Sequence, residues 1–203
     1  MTQIALPLLH PVPREAPSIV LGAANATVAD ALRDPHSWPF GTAILSGPPR
    51  SGKSLIATWF GSHTGGGAID DAHLQDEIEI FHAWNRARED GFPLLLTVGQ
   101  ERWNIQLPDL RSRMGAALQL ELGPPDDEMA ADLMLSHAAQ RGLVLGDGAP
   151  AYLVPRMERS HAAIERIVAE IDRLSLERKQ PATMSVWRDA LEAVDGPEQA
   201  RLL

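Results

Sequence analysis

Residues 47–54, Gly47-Pro48-Pro49-Arg50-Ser51-Gly52-Lys53-Ser54, constrain the fold of this chain more than any other stretch. They fit G-x-x-x-x-G-K-[ST], the phosphate-binding loop, and they follow Ala43-Ile44-Leu45, the apolar strand such a loop needs on its incoming side. Gly47 and Gly52 let the backbone curl until successive N–H groups face a phosphate, and a helix opening near Lys53 adds the positive end of its dipole. In that setting Lys53 reaches the β and γ phosphates and the Ser54 hydroxyl ligates Mg²⁺. The competing reading is a glycine-rich turn that happens to carry a lysine. The apolar run before the loop and the helical pattern after it argue against that.

The bulk composition narrows the rest. A chain of 203 residues can bury a full core, and its 44% hydrophobic content is that of an ordinary globular protein. A net charge of −9 argues against a broad electrostatic grip on nucleic acid, which depends on clustered Lys and Arg. The absence of cysteine excludes disulfides and thiolate metal sites and suits a cytosolic protein. The histidines show no ligand spacing, so no zinc site is expected. No run of eighteen apolar residues occurs, and the proline-broken start lacks the basic region of a signal peptide.

Taken in order, residues 1–17 are proline-rich and aperiodic, which predicts an extended tail. Within it, Gln3-Ile4-Ala5-Leu6-Pro7-Leu8 suits either docking in a partner's apolar groove or folding back on the body. Ser18-Ile19-Val20-Leu21-Gly22 reads as a short strand or turn, and Thr27-Val28-Ala29-Asp30 as a capping box opening a helix through Arg33. A strand over 42–46 enters the phosphate loop, and a helix over 54–60 leaves it, closing near Gly61. Gly65-Gly66-Gly67-Ala68-Ile69 then leads into Asp70-Asp71. At the carboxyl edge of a neighbouring strand Asp70 could hold the water shell of Mg²⁺ and Asp71 could orient or deprotonate an attacking water. An acidic turn capping the next helix is the alternative.

Residues 76–90 read as a core helix with Ile78, Phe81 and Trp84 on its inner face. A buried strand over 93–97 follows, and its terminal Thr97 either feels the γ-phosphate or merely ends the strand. Arg111 and Arg113, on a short helix before a strand over 117–122, either reach a neighbour's nucleotide or are solvated charge. Gly123-Pro124-Pro125 is the one stiff break. The expected domains are therefore a tail (1–17), an αβ nucleotide-binding domain (18–123) and a helical remainder (124–203). Helices are expected over 127–141, with Met129, Leu133, His137 and Gln140 in one stripe, and over 149–158, 160–179 and 185–194.

In their order and spacing these strings resemble the AAA+ module of DnaA-related proteins, and most of all the Hda-like branch in its alphaproteobacterial form. The resemblance rests on Ile19-Val20-Leu21-Gly22 with Asn25, residues 47–54, Ile69-Asp70-Asp71, Phe81-His82-Ala83-Trp84-Asn85, Leu95-Leu96-Thr97, Leu110-Arg111-Ser112-Arg113, Pro124-Pro125-Asp126 and Arg159-Ser160. It implies an α/β fold of P-loop NTPase type with a small all-α lid. A strand and a helix of the family look deleted before Asp70, so the parallel sheet is expected to be reduced, in the order 5-1-4-3 of the family's strand numbering. The resemblance also implies roles: Ile19, Val20, Leu21 and Gly22 line the adenine pocket, Asp70 and Asp71 form the Walker B pair, Thr97 is sensor 1, and Arg113 is an arginine finger acting in trans. Gln3, Ile4, Ala5, Leu6, Pro7 and Leu8 correspond to a peptide that binds the polymerase sliding clamp. The family's sensor 2 arginine falls on Ala162 or Ala163, with Arg159 or Arg166 as substitutes for geometry to decide, so intrinsic ATPase activity is expected to be weak or absent.

The function implied is negative regulation of DNA replication initiation, by binding the clamp and stimulating ATP hydrolysis on DnaA. ADP or ATP with Mg²⁺ is the implied cofactor set. A homo-oligomer is left open, and little direct DNA binding, no membrane contact and a cytoplasmic address are expected. Two other readings stay open: a non-hydrolysing, nucleotide-bound adaptor that recruits partners to DnaA or the clamp, and a DNA-loading ATPase of the DnaC kind.

Overall fold

The computed structural model describes Val20, Gly22 and residues 25–195. Four parallel strands, β1 (Thr42–Ser46), β2 (Gly67–Ile69), β3 (Leu94–Val98) and β4 (Leu118–Glu121), lie in the order β2-β3-β1-β4. Counted from the other edge, this is the reduced order 5-1-4-3 expected from the sequence. The two central strands carry the apolar runs Ala43-Ile44-Leu45 and Leu94-Leu95-Leu96 because a parallel sheet with crossover helices buries both faces. Ile44, Leu94, Leu96 and Val98 face α3 (Glu77–Asp90) and α4 (Pro108–Ala116). Ala43, Leu45, Leu95 and Leu120 face α1 (Ala26–Arg33) and α2 (Lys53–His63). Phe60 of α2 is wholly buried and stacks on Trp38 at 5.2 Å. Burial of a side chain of that size contributes about 1.5–3 kcal/mol.

The helical remainder has its own core. Helices α5 (Asp127–Arg141), α6 (Ala149–Leu153), α7 (His161–Arg178) and α8 (Met184–Asp195) close around Met134, Leu153, Ile164, Ile167, Ile171 and Val186. Local chemistry sets the ends of these helices. Asp126 accepts from the Met129 N–H and Ser160 from the Ala163 N–H, while Gly142 takes the left-handed conformation that ends α5. No described helix is long and apolar enough to cross a membrane.

Several elements differ from the sequence-based expectation. The capping box at Thr27 does not form: α1 begins at Ala26, and the Asn25 side chain before it turns away from the helix. Helix α2 passes through Gly61 to His63, because its packing against the sheet outweighs the roughly 1 kcal/mol that a helical glycine costs. On α3 the buried side chains are Ile80 and Ala87, while Ile78 is 59% exposed. Apolar residues cover too wide an arc of this helix for periodicity alone to choose the face. In α5 the buried stripe is Met129, Ala130, Met134 and Ala138, and Gln140 is exposed. The helix expected over 149–158 tightens into a 3₁₀ turn at Val154–Arg156, where Pro155 has no N–H to continue the α ladder.

Candidate nucleotide-binding site

The loop after β1 is shaped by two different demands. A Cβ on Gly47 would sit 2.9 Å from the Leu122 Cβ, so this glycine is required by the close approach of the neighbouring chain. Gly52, at φ 89, is required by conformation, and Arg50 shares the left-handed region at φ 66. The curl then delivers Lys53 into the loop's centre. Its Nζ donates to the Gly47 carbonyl at 2.8 Å and to the Pro48 carbonyl at 2.9 Å, with only 9% of the residue exposed. Burial pushes the Lys53 ammonium below its ordinary pKa, and the carboxylates of Asp71 and then Asp70 pull it back up.

Beneath the loop the Ser51 hydroxyl is buried without a hydrogen-bond partner among the described residues. Among the described residues, an orphaned hydroxyl, an ammonium bonded only to the loop's own carbonyls and the open N–H groups of the first turn of α2 form a cluster of donors in need of an anion. That set fits the phosphates of ADP or ATP. Ser54 opens α2 on its exposed side and Asp70 follows β2. No group of three or more acidic or histidine side chains among the described residues could hold a metal alone. A hydroxyl and a carboxylate suit Mg²⁺, which binds through few protein ligands together with phosphate oxygens and water.

The short strand β2 forms despite its glycines and pairs Ile69 with Leu96 of β3. That register sets Thr97 beside the acidic pair. The Thr97 hydroxyl, wholly buried, donates to Asp70 Oδ1 at 2.5 Å and accepts from the Asp71 N–H at 2.8 Å. Asp71 takes φ 48, a left-handed conformation that aspartate tolerates better than most residues. The capping alternative is not what the structure shows. Asp71 precedes a 3₁₀ turn without a side-chain cap bond, and Asp76 caps α3 through the Ile78 and Glu79 N–H groups. Lys53, Asp70, Asp71 and Thr97 are thus brought together.

Of the residues expected along the adenine pocket, Ile19 and Leu21 lie outside the described residues. The other two are stapled by Asn25, whose amide donates to the Val20 carbonyl at 3.0 Å and accepts from the Gly22 N–H at 2.8 Å. A Cβ on Gly22 would come within 3.0 Å of the Met129 Cβ, so this segment lies against the first helix of the lid.

The lid meets the loop through an ion pair whose lid partner, Glu165, the sequence did not single out. Arg50 Nη1 of the loop pairs with Glu165 Oε1 of α7 at 3.1 Å. Neither substitute arginine does this: Arg159 pairs with Asp127 at 2.9 Å and Arg166 with Glu158 at 4.0 Å. His161, 4% exposed, places Nε2 at 3.4 Å from the Gly123 carbonyl. No spacing signal marks Glu165 or His161, because each becomes special only when α7 is laid beside the loop.

Burial lowers the pKa of both His137 and His161 from the ordinary 6.5, and His137 and Lys53 lower that of His161 further by like-charge repulsion. A lowered folded pKa means that the unfolded chain binds more protons below pH 6.5, so the stability conferred by neutral imidazoles is present above 6.5 and lost as pH falls. The melting temperature should therefore drop between about pH 7 and pH 5.5, above the range where most carboxylates titrate. In His161→Gln that acid-side slope should flatten, as read by calorimetry. A slope equal to that of the parent chain would contradict this.

Arg111 and Arg113 separate clearly. Arg111 donates through Nε to the Ile105 carbonyl at 2.8 Å, tying α4 to its own entry loop. Arg113 turns instead to α3 and donates to Asn85 Oδ1 at 2.7 Å. It lies in the helical layer on the opposite face of the sheet from α2, so it is not gathered with Lys53 and the acidic pair. Gln3, Ile4, Ala5, Leu6, Pro7 and Leu8 lie outside the described residues.

Comparison with known proteins agrees with this geometry. Residues 126–191 match the family model of the Hda lid domain. The fold is similar to that of domain III of the Thermotoga maritima replication initiation protein DnaA, at TM-score 0.72 and 12% identity over 88% of this chain and 95% of that one. It is also similar to the AAA domain of FIGL-1 in complex with ADP, at TM-score 0.63 and 14% identity over 86% and 82% of the two chains. A third similar structure is the replication initiator DnaA bound to AMPPCP and single-stranded DNA, at TM-score 0.56 and 16% identity over 79% and 66%. At these identities the structural likeness is one of fold.

Proposed function

We propose that this chain, whose residues 126–191 match the Hda lid domain and whose fold is similar to that of DnaA domain III, is a DnaA-related, Hda-like AAA+ protein that regulates replication initiation by activating ATP hydrolysis on DnaA. Gln3, Ile4, Ala5, Leu6, Pro7 and Leu8 tether it to the DNA polymerase sliding clamp. Arg113 is offered to the γ-phosphate of the partner's ATP, where a guanidinium stabilises the charge that builds as the phosphoryl group leaves. The single observation that carries this reading is the position of Arg113, in the layer across the sheet from the chain's own phosphate loop and oriented by α3. An arginine placed there acts on a neighbour's nucleotide more readily than on its own.

The chain's own nucleotide serves chiefly as a structural ligand. Lys53, Ser51 and the loop amides would hold its phosphates, and Ser54 and Asp70 would hold Mg²⁺, which would supply charge neutralisation. Hydrolysis there is slow, because either Ala162 or Ala163 stands where the family has an arginine and the lid sends Glu165, rather than a cation, toward the loop. The same feature favours a second reading, a nucleotide-bound adaptor without any effect on turnover.

One assay separates the two. ATP-loaded DnaA is mixed with clamp on DNA, and phosphate release is followed with and without this chain. The activator reading expects faster release only in its presence, whereas unchanged release favours the adaptor. Removal of residues 1–8 should abolish retention on immobilised clamp while leaving ADP binding intact. Undiminished retention would remove the tail from the mechanism.

A further inference from the structure

We propose that Phe81, Trp84 and Asn85 of α3 form a clamp that pre-orients Arg113 and presents one edge of its guanidinium outward. This rests on the reading of Arg113 as the group that acts on a partner's ATP. The guanidinium carbon lies 4.2 Å from the centre of the Phe81 ring and 4.3 Å from that of Trp84, so aromatic surfaces contact it from two side chains one helical turn apart. Its Nη1 is pinned by Asn85 Oδ1 at 2.7 Å. The remaining N–H donors of Arg113 have no protein partner among the described residues, and the residue is only half-buried. A planar fork flanked by two rings and bonded at one corner leaves its other N–H groups for a phosphate oxygen.

The clamp is itself anchored. The Trp84 indole N–H donates to the Thr42 hydroxyl at 3.0 Å, and that residue, at the start of β1, is 1% exposed. The Glu77 carboxylate accepts from the N–H groups of Gln106 and Leu107, at 2.8 Å and 2.6 Å, just before α4 begins. Helix α3 therefore fixes both the entry of α4 and the arginine on its second turn. A free arginine samples many rotamers, and a stabiliser of the transition state works best when it need not reorganise as the reaction proceeds. These are positioning residues: they touch Arg113 and not the reacting phosphate.

The test uses the full chain with Phe81→Leu, Trp84→Leu, Trp84→Phe and Asn85→Leu, each compared with Arg113→Ala. Maximal stimulated ATP hydrolysis on DnaA should fall about tenfold in Phe81→Leu and Trp84→Leu, about 1.4 kcal/mol of transition-state stabilisation. The concentration for half-maximal stimulation should stay within twofold, and Trp84→Phe, which restores an aromatic face, should recover most of the rate. A purely structural role for these side chains would move melting temperature and half-maximal concentration instead.

A second measurement needs no partner. The Nε–H resonance of Arg113, assigned by its loss in Arg113→Lys, should be shifted upfield by the rings and move toward the random-coil position in Phe81→Leu and Asn85→Leu. A random-coil position in the parent chain overturns the clamp. So does an unchanged maximal rate in Phe81→Leu and Trp84→Leu when Arg113→Ala abolishes stimulation. If Arg113→Ala leaves stimulation intact, the proposed function fails instead, and the resonance alone decides whether the clamp exists.

Discussion

Arg113→Ala should lower the stimulated rate of ATP hydrolysis on DnaA by about 10³-fold or more while leaving this chain's affinity for ADP within about twofold of the parent value. The asymmetry follows from position. Arg113 bonds to Asn85 and stacks on Phe81 and Trp84, all on α3, and makes no bond to the loop of residues 47–54. In the proposed role, removing it would take away charge stabilisation that exists only while the partner's γ-phosphate is leaving, and interactions confined to the transition state appear in the rate and not in ground-state binding. Arg113→Lys should rescue poorly, because an ammonium has neither the planar fork nor the stacking faces that the two rings engage. Single-turnover phosphate release with excess regulator gives the measurement, and a rate within twofold of the parent would end the assignment of Arg113.

Lys53→Ala should weaken ADP binding by about 30- to 150-fold, the equivalent of roughly 2–3 kcal/mol for a charged donor to a phosphate. The apo protein should suffer much less. Lys53 donates to the Gly47 and Pro48 carbonyls, but the residue is only 9% exposed and burial depresses its pKa. The cost of desolvating that charge offsets most of the gain from its two bonds, so the melting temperature without nucleotide should change by only a few degrees. The stabilisation that saturating ADP gives the parent chain should nearly vanish. Calorimetric titration with ADP decides the matter: affinity unchanged by Lys53→Ala would remove the phosphate site.

The parts of the fold that were legible beforehand are those set by local chemistry. Helices were expected over 76–90, 127–141 and 160–179, and in the structure Asp76, Asp126 and Ser160 cap them and Gly91 and Gly142 end the first two, because each needs only its own side chain or backbone freedom and the next few N–H or C=O groups. Burial faces were less legible. Ile78 and Ile80 are equally apolar, and only the docking of α3 on the sheet turned Ile80 inward. Asn25 illustrates the same point at the site, since its amide had a nearby helix to cap and bridged Val20 and Gly22 instead.

The sequence by itself determined that a strand, a glycine-bounded curl and a helix follow one another over residues 42–60, that an acidic pair follows the next short apolar run, and that a helical remainder begins after the Gly123-Pro124-Pro125 break. All of these are contiguous stretches whose geometry is dictated by residue type and spacing. Tertiary structure alone decided that the Thr97 hydroxyl bridges Asp70 and Asp71, that Glu165 rather than an arginine reaches Arg50, and that Arg113 stacks on Phe81 and Trp84. Such pairings join residues from 26 to 115 positions apart. Their energies depend on how sheets and helices pack, which no local pattern encodes.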